Sequence, residues 1–238
     1  SLQRAYKRRR LSVMPQTIAG SVYSRYSSDD GAFSGYASLT AAVERIARHV
    51  RESASPTYTY FYVPYIDGAA HRSGPEHGDV QRAIGRAAKR LAQLAGALPA
   101  GARIVVSADH GLIEVPADAR HTLDRHDALA RLLRVPPTCE PRTPAFHVRD
   151  GQQAAFAARF RERWGDRFAL LTVDEADELR LFGKAPLSTE TRRRLGDFIA
   201  IARGLDAIVY EPSDELRAMR GFHGGLHPDE MRIPLIVI

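Results

Sequence analysis

The stretch from Tyr58 to Gly111, YTYFYVPYIDGAAHRSGPEHGDVQRAIGRAAKRLAQLAGALPAGARIVVSADHG, decides the fold class. Tyr58 to Val63 is aromatic and β-branched, the composition of a strand, and Pro64 closes it. From Asp79 to Leu98, Ile84, Ala88, Leu91, Ala95 and Leu98 recur at three- and four-residue steps, which predicts a helix with Asp79 as its N-cap. Ile104-Val105-Val106 is a short, continuously apolar strand of the kind covered on both faces of a sheet. Strand, helix, strand predicts a βαβ unit with parallel neighbours and a right-handed crossover. Its two strands lead into carboxylates, Asp67 and Asp109, and ligands of open α/β sheets bind at that carboxyl edge.

Working outward, Ser38-Leu39-Thr40 opens a helix to about Arg51 with Leu39, Val43, Ile46 and Val50 at helical spacing. The segment between Ile18 and Ser38 reads as a strand end and a long loop. Residues 116–143 read as a loop with one short helix, Asp127 to Leu133, and a proline cluster. Beyond it come a strand (Ala145 to Val148), a helix (Gln153 to Trp164), a strand (Phe168 to Thr172) and a helix near Asp174 to Leu181. Phe198 to Ala202 and Ala207 to Tyr210 read as a strand pair. The expected architecture is α/β, a mainly parallel sheet flanked by helices with a small inserted α+β lobe. The core takes residues 1–143 and 195–238, and the lobe takes 144–194.

Bulk properties narrow the function classes. The 238 residues are 44% hydrophobic and 26% charged, a globular composition. No apolar run approaches the ~18 residues of a membrane span, and the basic N-terminus has no apolar segment after it, so it is no secretory signal. A single cysteine, Cys139, rules out an intrachain disulfide and a cysteine-based zinc cluster and suits the cytoplasm. The charge of +6 sits largely in two bursts, Lys7-Arg8-Arg9-Arg10 and Arg192-Arg193-Arg194, which argues against nucleic acid as the principal partner.

Three segments carry candidate chemistry. Asp67 and His71 stand four apart past a strand, where a carboxylate and an imidazole can converge on one metal ion. Asp109 and His110 are adjacent at a strand end, with Gly111 to let a ligand approach closely. His223 lies among glycines in Gly221-Phe-His-Gly-Gly225, and His227 just beyond is a weaker candidate. Two aspartates and three histidines form a mixed oxygen and nitrogen set that suits Zn²⁺ and tolerates Mn²⁺ or Fe. Two such metals, about 3.5–4 Å apart, can hold the attacking and leaving oxygens of a phosphoryl displacement. His77, His121, His126 and His147 are expected to be surface or structural, and Phe160 and Trp164 to share a buried helix face.

The strings Tyr62-Val-Pro-Tyr-Ile-Asp67-Gly-Ala-Ala-His71-Arg-Ser-Gly-Pro75, Val106-Ser-Ala-Asp109-His110-Gly111 and His223-Gly-Gly225 with Glu230-Met231 and Pro234-Leu235 resemble the type I phosphodiesterase/nucleotide pyrophosphatase family of the alkaline phosphatase superfamily. The likeness runs from about Met14 to the end. It implies hydrolysis of phosphodiester or nucleotide pyrophosphate bonds in a small phosphoester or nucleotide substrate. By the same likeness Asp67, His71 and His223 would hold one metal, and Asp109 and His110 the other. The family also places a metal-binding Asp after a first strand and a nucleophilic Thr or Ser at a helix start. Thr40 and Asp29-Asp30 stand in the wrong context for these roles, so the chain is expected to begin partway through the family's domain. The alternatives are a phosphonoacetate hydrolase-like enzyme, a phosphomutase, a sulfatase, or a non-catalytic module that binds nucleotides or other anions. The resemblance predicts that this chain retains close to one tightly held metal ion and turns over a nitrophenyl phosphodiester little or not at all. Metal analysis and that assay check both halves, and robust turnover would overturn the second.

Overall fold

The computed structural model describes residues 9–27 and 32–238. Lys7, Arg8, Asp29 and Asp30 lie outside the described residues. In chain order the strands are β1 Arg9–Pro15, β2 Ala32–Tyr36, β3 Thr57–Phe61, β4 Val105–Ser107, β5 Ile113–Glu114, β6 Arg120–Leu123, β7 Thr138–Glu140, β8 Thr143–Phe146, β9 Phe168–Thr172, β10 Phe198–Ala202, β11 Ala207–Tyr210, β12 Gly221–Phe222 and β13 Leu235–Val237. The chain divides into two compact units, Ser1–Ala69 with Glu76–Val106 and Leu235–Ile238, and Ala70–Pro75 with Ser107–Pro234. No helix among the described residues is long and apolar enough to cross a membrane.

The first unit is built on a parallel sheet in the order β2-β1-β3. Central β1 is buried along most of its length, as a strand flanked by parallel neighbours must be. The helix Leu39–Arg51 starts where Ser38 Oγ accepts the Ala41 N–H, and Ala42, Val43, Ile46 and Ala47 form its buried face. That face joins Leu11, Val13, Tyr36 and Leu94 in one apolar cluster. The Tyr36 hydroxyl donates to the Tyr62 carbonyl at 2.8 Å; burial, with help from neighbouring Tyr65, pushes its pKa far up, so it stays a donor.

Four sequence expectations change here. The βαβ pair is replaced: β3 lies beside β1, while β4 pairs with β13, and Ile104 and Ile238 exchange two backbone hydrogen bonds of 2.9 Å. A three-residue apolar run carries no register of its own, so its partner is set elsewhere in the chain. Val105 is also well exposed, not covered on both faces. The long helix runs Gly78–Ala97 and is capped by the imidazole of His77, which accepts the Asp79 N–H, not by Asp79; Val80, Ala83 and Leu94 are its buried residues. Within the segment expected to be loop lie a short helix, Val22–Ser27, and β2, whose pairing to β1 local sequence does not show.

The second unit carries an antiparallel sheet in the order β7-β8-β10-β9, a parallel pair β6 and β11, and a two-stranded antiparallel ribbon of β5 and β12. Helix Gln153–Trp164 buries Phe156, Phe160 and Trp164, spaced four apart, against Phe146, Phe168 and Phe198. Such aromatic clusters are major contributors to core stability. The strands Phe198–Ala202 and Ala207–Tyr210 form as expected but not as a pair. The first lies between β8 and β9, and the second pairs with β6. Of the helix expected at 127–133 only a 3₁₀ turn, Ala130–Leu132, forms.

Asp206 ties this unit together. Its carboxylate accepts from His121 at 2.7 Å on β6 and from Arg167 at 2.9 Å just before β9. Burial alone would raise its pKa, but these two bonds hold it below the usual carboxylate value. A carboxylate with a depressed folded pKa stabilises fully above its unfolded value, and that contribution fades as pH falls toward the folded one. Asp206→Asn is therefore expected to lower stability at neutral pH and to flatten the loss of stability below about pH 4, where an unfolded Asp protonates. Urea unfolding from pH 3 to 7 checks this; an unchanged acid limb would contradict it.

Candidate metal centre

The helix Tyr65–Ser73 starts just after Pro64, and Gly68 N–H bonds the Pro64 carbonyl. Asp67 lies in its first turn, where a carboxylate suits the positive helix end, and His71 in its last. The pair past the strand is therefore on a helix, and side chains four apart share one helix face.

His71 also reaches forward in the chain. Its Nδ1 lies 2.8 Å from the Gly221 carbonyl, and its own carbonyl accepts the Arg220 N–H at 2.7 Å. A carbonyl oxygen only accepts, so Nδ1 must carry the proton, which makes Nε2 the lone-pair nitrogen. A side chain at Gly221 would run into the Ala70 carbonyl, so only glycine allows this approach.

Gly221 and Phe222 form β12, which pairs with Glu114 and Ile113 of β5. The chain enters β5 from Asp109 and His110 and leaves β12 into His223. The two-stranded ribbon thus brings two distant histidines together. The His110 and His223 rings stack with centroids 3.6 Å apart and planes 15° apart, and the His71 ring is 5.1 Å from His223. His110 Nδ1 lies 3.0 Å from the Gly111 carbonyl, which again leaves Nε2 as the lone-pair nitrogen. Asp109 is largely exposed; its Oδ1 accepts the His110 N–H at 3.2 Å and stands 3.7 Å from His110 Nε2. His71, His110 and His223 therefore form one group of imidazoles with Asp109 at its rim.

Two of the remaining candidates have structural work. His227 caps the short helix Pro228–Met231 by accepting the Asp229 N–H. His147 is 3.1 Å from the Arg194 carbonyl. Thr40 is an exposed residue in the first turn of helix Leu39–Arg51.

The loop that follows His223 is held from beneath by a pair the sequence did not mark. Arg142 and Glu230 are both almost fully buried and meet in two parallel bonds, Nε to Oε1 at 2.7 Å and Nη2 to Oε2 at 2.8 Å. Glu230 also accepts the backbone N–H of Gly225 at 2.9 Å and of His227 at 3.3 Å. Arg142 spends its other donors on the carbonyls of Asp206 and Gly204. The Glu230 carbonyl in turn accepts the Gly111 N–H at 2.8 Å, and a side chain at Gly111 would collide with the neighbouring Asp229 carbonyl. One buried pair thus fixes the backbone beside both His110 and His223. Arg142 stands between two prolines in Pro141-Arg-Thr-Pro144, and nothing local announces that it is buried.

Over residues 6–226 the sequence matches the type I phosphodiesterase / nucleotide pyrophosphatase family. The chain belongs to that family. No curated protein sequence matches it. Among solved structures it is similar to murine ectonucleotide pyrophosphatase / phosphodiesterase 5, solved as an inactive variant in complex with AMP, with a TM-score of 0.68 at 17% identity over 98% of this chain. It is also similar to the human ectonucleotide pyrophosphatase / phosphodiesterase 5, with a TM-score of 0.73 at 15% identity over 99%. The chain spans 60% and 61% of those two structures. These likenesses establish the fold, the α/β arrangement of the alkaline phosphatase type expected from sequence.

Removing one partner of a buried ion pair leaves an uncompensated charge, which costs about 3–5 kcal/mol. Glu230→Gln is expected to lower unfolding stability by that amount, and Arg142→Met combined with Glu230→Met by less. Urea denaturation of the two variants checks the order; equal losses would contradict it.

Proposed function

We propose that this chain holds one divalent metal ion tightly and a second weakly, zinc in the first place, at a site of the kind that hydrolyses phosphodiester or nucleotide pyrophosphate bonds. Asp67, His71 and His223 would hold one ion, and Asp109 and His110 the other. The observation that carries the reading is the imidazole group itself. In His71 and His110 a backbone carbonyl fixes Nδ1 as the protonated nitrogen, so Nε2 is the coordinating atom.

The donor set fits the group. Imidazole nitrogens with carboxylate oxygens are what zinc takes, and manganese or iron would be accommodated. Asp67 supports the reading from its place one helical turn before His71, and Asp109 adds a second, solvent-facing carboxylate. Bound metals would polarise a phosphoryl oxygen and make water a nucleophile at neutral pH.

The protein's own part is to hold its ligands ready. The bonds to Gly221 and Gly111 orient the rings, and the Arg142–Glu230 pair prevents the glycine loop from drifting. Pre-orientation of this kind lowers the ordering that binding would otherwise require. A nucleotide substrate is supported by the family and by the murine neighbour's complex with AMP.

Zinc binding measured by chelator competition tests the proposal. His223→Ala and His71→Ala are each expected to weaken the tighter site by at least about tenfold, on the scale by which even outer-sphere changes weaken metal sites. His126→Ala, outside the group, is expected to leave it unchanged. Equal affinity in all of them would overturn the assignment.

A further inference from the structure

We propose a second anion site, separate from the imidazole group, that takes a diphosphate group. It is an open cavity of about 280 Å³ in the second unit whose walls include Arg125, Arg131, Arg134 and Arg149, with Leu133 and Tyr210 as its apolar side. The inference does not depend on the hydrolase reading.

Its position follows from the sheet. β6 and β11 are parallel and end side by side, Leu123 opposite Tyr210. Arg125 and Glu211 come just past those ends, at the carboxyl edge where ligands of parallel strands bind. Glu211 has φ +37°, in the left-handed region that a glutamate rarely adopts. Its N–H bonds the Leu123 carbonyl at 2.9 Å, and its carboxylate grips Arg125 through both Nε and Nη2. Backbone strain of this kind persists where the surroundings enforce it, often at binding sites.

The other wall is equally fixed. Arg134 N–H bonds the His147 carbonyl at 2.7 Å, Arg149 N–H bonds the Leu132 carbonyl at 2.8 Å, and Leu133 and Val148 form a bridge between them. The guanidinium of Arg149 donates to the Arg131 carbonyl at 3.0 Å.

Charge selects the ligand. Arg125 is neutralised by Glu211, while Arg134 shares Asp197 and Asp150 at 3.5 and 3.7 Å. Among the described residues Arg131 and Arg149 have no carboxylate at ion-pair distance, so the cavity holds an excess of positive charge. Planar guanidinium groups match phosphate oxygens two at a time, which a point-charge ammonium cannot do. The volume falls below the roughly 300–1,000 Å³ of sites that enclose drug-sized ligands. A compact dianion or trianion suits it better than a whole nucleotide. A diphosphate could arrive free or at the end of a nucleoside diphosphate.

Isothermal titration of metal-free protein at constant ionic strength tests this, with inorganic pyrophosphate and ADP as probes. Pyrophosphate is expected to bind wild type and His223→Ala alike. It should bind Arg131→Ala/Arg149→Ala at least tenfold more weakly, with Arg131→Lys/Arg149→Lys in between. ADP binding as tightly as pyrophosphate would assign the nucleoside-linked source, and weaker ADP binding the free one. Arg131→Ala alone serves if the double variant fails to fold, since Arg149 bonds the backbone of residue 131. No pyrophosphate binding, binding unchanged in the alanine variants, binding lost in His223→Ala, or equal heats from sulfate would each overturn the proposal.

Discussion

Burying Arg142 against Glu230 is the constraint on which the second unit's chemistry depends. Two charges taken out of water are unfavourable unless every lone pair and proton finds a partner. Here the guanidinium meets the Glu230 carboxylate and the carbonyls of Gly204 and Asp206, and the carboxylate also accepts from Gly225 and His227. Apart from each other, the partners are backbone groups of two turns, one holding Gly204 and Asp206 and the other Gly225 and His227. Satisfying the pair therefore dictates where those turns lie. Asp206 extends the same network outward through His121 and Arg167.

The imidazole group inherits its geometry from that framework. His223 sits two residues before Gly225, and His110 one residue before Gly111, which Glu230 holds by its carbonyl. β5 and β12, only two residues each, would be marginal alone. Their pairing is extended by the bond from the Val115 N–H to the Arg220 carbonyl, and His71 holds the Gly221 carbonyl at that same end. Glycine is required at Gly221 and Gly111 for close backbone approach, which explains why glycines surround the histidines in sequence.

Much of this was legible in the chain. Helix Leu39–Arg51 announced itself by Ser38 and by the spacing of Val43 and Ile46, and helix Gln153–Trp164 by Phe160 and Trp164. These signals are local, and local structure obeys them. Partner choice is not local. β4 is three residues long and could have joined any strand, and Phe198–Ala202 and Ala207–Tyr210 read as a strand pair but belong to two different sheets. The histidines were legible because Asp-His-Gly and His-Gly-Gly are unusual strings. The helix that carries Asp67 and His71 was not legible, since two small alanines and a glycine hide its two turns. Arg142 and Glu230 were invisible as a pair, since burial of a charge is decided by contacts 88 residues apart.

The central claim is that the imidazoles of this chain ligate metal. X-ray absorption at the zinc edge of the zinc-loaded protein tests it directly. The account predicts nitrogen scatterers at about 2.0–2.1 Å with the outer-shell pattern of at least two imidazoles, and loss of one imidazole in His223→Ala. A shell of oxygen scatterers alone, unchanged in His223→Ala, would contradict it.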